Sequence, residues 1–140
     1  MSAERLRAVL LLDAFFCALA ALLFLSGTWD GLYDALELPQ GKPTIFTQIA
    51  GAFSAGFAYL LWLAARTPAL MLPVARGAAV VNGLGAGVVV AWLINGGLGI
   101  DTLGKVELVV AAVFMAAFFA AYLAAGLRPG GYGPEPPPRP

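Results

Sequence analysis

An aspartate, Asp13, lies near the middle of the first apolar run of the sequence, RLRAVLLLDAFFCALAALLFL. A charged side chain at the centre of a membrane costs roughly 2.5 to 3.5 kcal/mol on insertion scales, so a carboxyl group in such a run needs polar partners or a bound proton. Wound as a helix at about 100° per residue, the run places Asp13 on the same face as Cys17 and Ala21 and opposite Leu22. Because small residues let helices approach closely in a membrane, this face is predicted to point into a helix bundle.

Two polar residues of the third apolar run lie near the membrane depth of Asp13. Counted from the same end, Asn82 lies at a depth similar to Asp13, and Arg76 lies below it. The sequence therefore predicts a cluster of Asp13, Asn82 and Arg76. Two interpretations stay open: a permanent pair of Asp13 with Arg76 that clasps the helices together, or a neutral, solvent-reachable Asp13 that binds a proton or a cation.

A second polar group is predicted at the opposite ends of the apolar runs. Polar side chains at helix ends are usually caps and interface contacts. The alternative is a small extracytoplasmic pocket covered by a short helix. The residues of this group are Gln48, Asn95, Lys105 and Glu107.

The composition argues against several classes of site. The chain has no histidine and a single cysteine, Cys17, so the usual ligands of zinc, haem, copper and iron–sulfur clusters are missing. Ser-His and Cys-His nucleophilic catalysis and an intramolecular disulfide are excluded for the same reason. Eight basic and eight acidic residues give a net charge of zero, which leaves no basic surface for nucleic acid. We expect no metal, no cofactor and no nucleic-acid partner, and a non-enzyme in preference to an enzyme.

The elements that must position these residues are membrane spans. The 140 residues are 61% hydrophobic and only 11% charged, whereas soluble domains carry about 25% charged residues. Four segments reach the roughly 20 apolar residues that a helix needs to cross a bilayer, and a span must satisfy its own backbone. The prediction is an all-α four-helix transmembrane domain over 1–127, followed by a disordered Pro/Gly-rich tail over 128–140. The four segments are 8–25, 44–65, 74–94 and 106–127.

A short amphipathic helix is predicted between the first two spans. Its apolar residues recur at i, i+3, i+4 and i+7, and Trp and Tyr suit the headgroup level of a membrane. An interfacial helix that covers the bundle is the simpler interpretation, and a docking or ligand-gating role is the alternative. The apolar residues are Trp29, Leu32, Tyr33 and Leu36.

The basic residues predict the orientation of the chain. With four spans, all six arginines fall on one side, and only Lys42 and Lys105 fall on the other. By the positive-inside rule both termini are cytoplasmic, and the composition is typical of a bacterial inner-membrane protein.

Small residues in the third and fourth spans recur at four-residue spacing. Such steps favour close helix packing, and the alanines of the fourth span exceed what one neighbouring helix uses, so further association is expected. The residues are Ala79, Gly83 and Gly87 in the third span, and Ala112, Ala116 and Ala120 in the fourth.

The layout resembles the small DoxX-like four-helix membrane proteins of bacteria. The resemblance rests on four short spans, an amphipathic segment after the first, IAGAFSAGFAYLLWLAAR in the second and ARGAAVVNGLGAG in the third. It implies an inner-membrane protein that in some members is an accessory subunit beside a respiratory or other redox complex, and it carries no catalytic residue across. The chain is also similar in length to small multidrug resistance transporters, which place an essential acid in the region of Asp13, but its charge bias argues against their antiparallel pairing.

Two functions follow as expectations. The first is a non-enzymatic accessory or assembly subunit of a larger membrane complex, which contacts lipid and other subunits, or copies of itself, through small-residue helix faces. The alternative is a small proton-coupled transporter or a binder of a lipid or other lipophilic ligand that uses Asp13.

Overall fold

The computed structural model describes residues 1–26, 29–35, 45–95 and 102–126. Within these residues the chain forms helices and no strand, and four of the helices are long and apolar enough to cross a membrane. The predicted all-α four-helix bundle of a multi-pass membrane protein is confirmed. The helices are α1 (Ala3–Leu25), α2 (Asp30–Ala35), α3 (Ile45–Arg66), α4 (Pro68–Asn95) and α5 (Thr102–Gly126). The predicted tail over 128–140 lies outside the described residues.

Both ends of α1 are capped by serines. The Ser2 side chain accepts a hydrogen bond from the backbone N–H of Arg5 at 3.3 Å, and Glu4 in the first turn complements the helix dipole. At the other end, the Ser26 hydroxyl donates to the carbonyl of Leu23 at 2.6 Å. The first cap explains why α1 begins at Ala3, about five residues before the predicted apolar span.

The connection between α3 and α4 is shorter than predicted. The predicted spans 44–65 and 74–94 leave eight residues between them, but α3 ends at Arg66 and α4 begins at Pro68. Thr67 alone lies between them, and its N–H donates to the carbonyl of Ala64 at 3.1 Å. Pro68 suits the first helical position because the N–H that it lacks has no partner there. Pro73 therefore lies inside α4.

The helices pack as two antiparallel pairs, α1 with α3 and α4 with α5. The buried side chains concentrate at one end of the bundle, where α1 and α4 begin and α3 and α5 end. At the opposite end large apolar side chains are exposed, including Ile94 at 79% and Val106 at 53%, which fits contact with lipid. The shared core includes Leu6, Leu10, Leu61, Ala64, Ala75, Ala78, Tyr122 and Ala125.

The predicted small-residue positions divide into contacting and outward-facing ones. A Cβ added at Gly83 would lie 3.0 Å from the Phe119 ring, so this glycine sits against α5, and Ala79 and Ala112 are buried. The other three do not pack against the described helices: a Cβ added at Gly87 would meet no described atom within 4 Å, and Ala116 and Ala120 are exposed.

The close approach of α1 and α3 involves a glycine that the small-residue pattern did not single out. A Cβ added at Gly51 of α3 would lie 2.8 Å from the backbone nitrogen of Leu25 and 3.1 Å from the backbone carbon of Phe24. Only a residue without a side chain lets α1 and α3 approach to this distance.

The short helix α2 docks on the end of α1 through one tyrosine. The Tyr33 hydroxyl donates to the carbonyl of Leu23 at 3.0 Å, and Tyr33 is buried, whereas Trp29 is 65% exposed and Leu32 half-buried. Burial raises the pKa of Tyr33 above its ordinary value. Leu36, the fourth residue of the predicted amphipathic face, lies outside the described residues, and the interfacial location of α2 stays a prediction.

Candidate functional site

Three helices place polar side chains together in the core. Asp13 of α1 is 2% exposed, Asn82 of α4 is 7% exposed and Tyr122 of α5 is 2% exposed. They lie at the end of the bundle where the shared core is formed, beside Leu10 and Ala14. Burial of this depth means that each polar atom depends on protein partners, because bulk water does not reach it.

The carboxylate of Asp13 is the common acceptor of the group. The Tyr122 hydroxyl donates to Oδ2 at 2.7 Å, and Nδ2 of Asn82 donates to the same oxygen at 3.0 Å. The Cys17 thiol, one turn along α1, lies 3.6 Å from Oδ1 as a weak donor. Asn82 also donates to the carbonyl of Ala78 at 3.0 Å. We call Asp13, Cys17, Asn82 and Tyr122 the Asp13 cluster.

The arrangement of donors defines what the Asp13 cluster can do. Three side-chain donors converge on one carboxyl group, a pattern that fits an ionised acceptor and gives charge-assisted hydrogen bonds. No buried side-chain N or O atom in the described residues is left without a hydrogen-bond partner. Because the donors come from α1, α4 and α5, the carboxylate ties together the two helix pairs, which contact each other less than the helices within each pair do. The same carboxyl is also a group able to take up and release a proton.

Aromatic rings cover the side of the Asp13 cluster where α1 meets α5. The rings of Phe16 and Phe114 lie 4.6 Å apart between centroids, and those of Phe16 and Phe118 lie 6.0 Å apart. Phe118 in turn stacks on Tyr122 at 6.4 Å. Such contacts fill the space beside the carboxylate with apolar surface, which excludes water and strengthens the hydrogen bonds inside.

The structure brings together two of the three residues predicted as the inner cluster. Asn82 contacts Asp13, but Arg76 is exposed and, within the described residues, makes no ion pair or hydrogen bond with Asp13. The reason is angular: six residues separate Arg76 from Asn82, which turns the arginine by about 120° away from the aspartate-facing side of α4. The long side chain instead carries its charge away from the core. The pair of Asp13 with Arg76 is therefore not formed.

Tyr122 is the partner that sequence reasoning missed. A weak signal was present, since Tyr122 is the one residue with a hydroxyl group in the apolar run VVAAVFMAAFFAAYLAAG of α5. It lies one turn from the end of α5, hence at the end of the bundle where α1 begins. Buried tyrosine hydroxyls usually find a hydrogen-bond partner, so this position was the candidate to test against Asp13.

The predicted outer polar group does not form a connected site. Gln48 and Glu107 are half-buried, and Asn95 and Lys105 are exposed. In the described parts of the chain, no hydrogen bond or ion pair joins any two of these four residues, and no group of three His, Cys, Asp or Glu side chains is placed to hold a metal ion. Their positions fit separate polar residues at helix ends.

Comparison of the chain with protein-family models, curated proteins and solved structures finds no significant match. The DoxX-like resemblance therefore stays a prediction.

Proposed function

We propose that this chain is a non-enzymatic accessory or assembly subunit of a larger membrane complex. The proposal depends on one observation: within the Asp13 cluster, the side-chain donors of Asn82 and Tyr122 both form hydrogen bonds with the carboxylate of Asp13. These hydrogen bonds hold α1, α4 and α5 together, so the role that we propose for the polar core is structural. We place the protein in a bacterial inner membrane with both termini cytoplasmic, on the strength of the arginine distribution.

Small residues that face outward support association with other helices. Ala116, Ala120 and Ala124 of α5 are exposed, and no other described helix of the chain covers them. In a membrane, small residues let a second helix approach closely enough for backbone and van der Waals contact. The DoxX-like resemblance implies a redox complex as the expected partner.

The test is gentle extraction of a tagged copy from its native membrane, followed by mass spectrometry of stoichiometric partners. The test variant is Ala116→Leu,Ala120→Leu, which fills the outward face of α5. The control is Ala55→Leu, a matched substitution at an exposed alanine of α3. We expect a defined partner that the α5 variant loses and the control keeps. Recovery of the wild-type chain without a stable partner would overturn the proposal.

A second candidate function is favoured by the kind of partners that Asp13 has. Arg76 is exposed, so among the described residues the buried carboxyl is held by neutral donors. Intramembrane carboxyl groups in such settings form proton and ligand sites in transporters. On this alternative, liposomes that contain the chain conduct protons under an imposed membrane potential, and Asp13→Asn abolishes the flux. Equal proton flux, reported by a pH-sensitive dye, in the wild type and in Asp13→Asn would exclude this alternative.

A further inference from the structure

An apolar groove runs along the outer surface of the α1–α3 pair. Its floor is formed by small residues that are almost fully buried, Ala14 at 7% and Ala58 at 8% exposed. Its rim is formed by larger side chains that remain accessible, including Phe15 at 56% and Tyr59 at 59%. The lining of the groove is apolar, which suits a hydrocarbon chain. Besides Phe15, the groove is lined by Leu11, Ala14, Ala18, Ala58, Tyr59 and Trp62.

Two arginines close one end of this groove. Arg7 lies one turn before Leu11 on the groove-facing side of α1, and Arg66 lies one turn after Trp62 on the groove-facing side of α3. Because α1 and α3 run antiparallel, the beginning of α1 and the end of α3 meet at the same level. Both arginines are exposed, and in the described residues neither forms an ion pair.

Arg66 is held at the groove by an aromatic contact. Its guanidinium carbon lies 4.0 Å above the Trp62 ring, and Trp62 stacks on Tyr59 with centroids 5.9 Å apart. A guanidinium over a ring keeps its N–H donors at the edge free for an anion, and Arg binds phosphate with paired donors. The cation is thus ordered without being neutralised.

We propose that the groove binds one acyl chain of an anionic phospholipid, with the lipid phosphate between Arg7 and Arg66. The site is complementary to the whole ligand, because its apolar floor and rim suit the acyl chain and its two unneutralised cations suit the headgroup. Glu4 lies on the same side of α1, farther from the groove than Arg7, and it makes no ion pair with either arginine in the described residues. The two arginines and Glu4 together still carry a net positive charge. Glu4 weakens the attraction of the arginines for the lipid phosphate, so Glu4→Gln should strengthen lipid binding.

The experiment reads the lipid next to Trp62 directly. Trp29→Phe and Trp92→Phe leave Trp62 as the one tryptophan, and both replaced residues are at least half-exposed, at 65% and 50%. The protein with these two substitutions is reconstituted into vesicles of unlabelled phosphatidylcholine. The vesicles also contain a small fraction of a lipid that is brominated on the upper part of its acyl chains. This brominated lipid is phosphatidylglycerol in one sample and phosphatidylcholine in the other. We expect the brominated phosphatidylglycerol to quench Trp62 with an association constant roughly fivefold higher for each arginine, equivalent to about 1 kcal/mol per cation near an anionic lipid.

Matched variants separate the groove from general charge attraction. Arg7→Gln,Arg66→Gln should lose the preference for phosphatidylglycerol. Arg5→Gln,Arg76→Gln should keep it, because Arg5 lies on the opposite face of α1 and Arg76 on another helix. Equal quenching by the two lipids in the background protein, or equal losses in the two double variants, would overturn the proposal. Should the first double variant fail to reconstitute, Arg7→Gln against Arg5→Gln gives the same comparison at exposed positions.

A further pair of variants tests the acyl chain. Ala18→Phe fills the groove but leaves both arginines in place, and Ala117→Phe adds the same ring at an exposed position of α5, away from the α1–α3 pair. We expect quenching by brominated phosphatidylglycerol to fall in the first variant only. Unchanged quenching in Ala18→Phe would show that the headgroup anion binds without the groove.

Discussion

Removal of the Tyr122 hydroxyl tests whether the Asp13 cluster holds the bundle together. Tyr122→Phe keeps the ring that stacks on Phe118 and deletes only the donor that lies 2.7 Å from the carboxylate. The change therefore creates almost no cavity, and its effect on the free energy of unfolding reports the hydrogen bond itself.

The expected magnitude lies between two limits. Hydrogen bonds to charged groups contribute about 1.5 to 3 kcal/mol in soluble proteins, whereas those between membrane helices average about 0.6 and reach about 1.7 kcal/mol. Because Asp13 is 2% exposed and the contact is short, we expect Tyr122→Phe to destabilise the bundle by about 1 to 2 kcal/mol.

The assay is unfolding of the purified chain in mixed micelles by sodium dodecyl sulfate, followed by helix circular dichroism. Asp13→Asn retains the shape of the side chain and keeps an oxygen that accepts from Asn82 and Tyr122, so the double-mutant cycle of Tyr122→Phe with Asp13→Asn isolates the charge-assisted part. We expect Tyr122→Phe to cost less in the Asp13→Asn background than in the wild type. A loss below about 0.3 kcal/mol in the wild type, or identical losses in both backgrounds, would refute the role of the carboxylate as the tie.

Three further predictions concern other parts of the structure. Gly51→Ala should destabilise the bundle by about 1 to 3 kcal/mol in the same unfolding assay, since its Cβ would meet the α1 backbone at 2.8 Å, whereas Gly56→Ala, with nothing within 4 Å, should not. Arg76→Gln should change the free energy of unfolding by less than about 0.5 kcal/mol, because the arginine is exposed. A loss near the roughly 3 to 5 kcal/mol that is typical of a broken buried ion pair would instead support a structural pair of Asp13 with Arg76. The raised pKa of Tyr33 means that the folded state holds this proton more tightly than the unfolded state does, so the stability contribution is constant below about pH 10 and falls above it. In a pH series, the stability advantage of the wild type over Tyr33→Phe should therefore shrink above about pH 10, and a constant difference would contradict this.

Parts of the fold and site follow from one-dimensional features of the sequence. Hydropathy and length locate the four spans, and helical periodicity places Asp13 on an inward face. Depth along the helix then suggests Asn82 as a partner. The same depth argument misplaced Arg76, because depth carries no information about the angle around α4, and a count of six residues from Asn82 was needed to exclude it.

Other features depend on the relative placement of helices, which no local pattern encodes. The contact of Tyr122 with Asp13 joins residues 109 positions apart, and the pairing of Gly51 with Leu25 depends on where two backbones cross. Small-xxx-small spacing shows which glycines are able to approach a neighbour, but it does not show which ones do, as Gly87 illustrates. The start of α4 was misplaced because two prolines, Pro68 and Pro73, are both suited to a first turn.

The sequence separation within the Asp13 cluster has a consequence for biosynthesis. Asp13 belongs to α1, and its partner hydroxyl is supplied by α5, 109 residues later in the chain. At about 5 to 20 residues per second, translation takes roughly 5 to 20 s to produce that partner. During this interval α1 carries a carboxyl group whose hydrogen-bond donor on α5 has not yet been synthesised. The insertion machinery or a bound proton must shelter it, and chains that end before α5 should be recognised by membrane quality control as incompletely assembled.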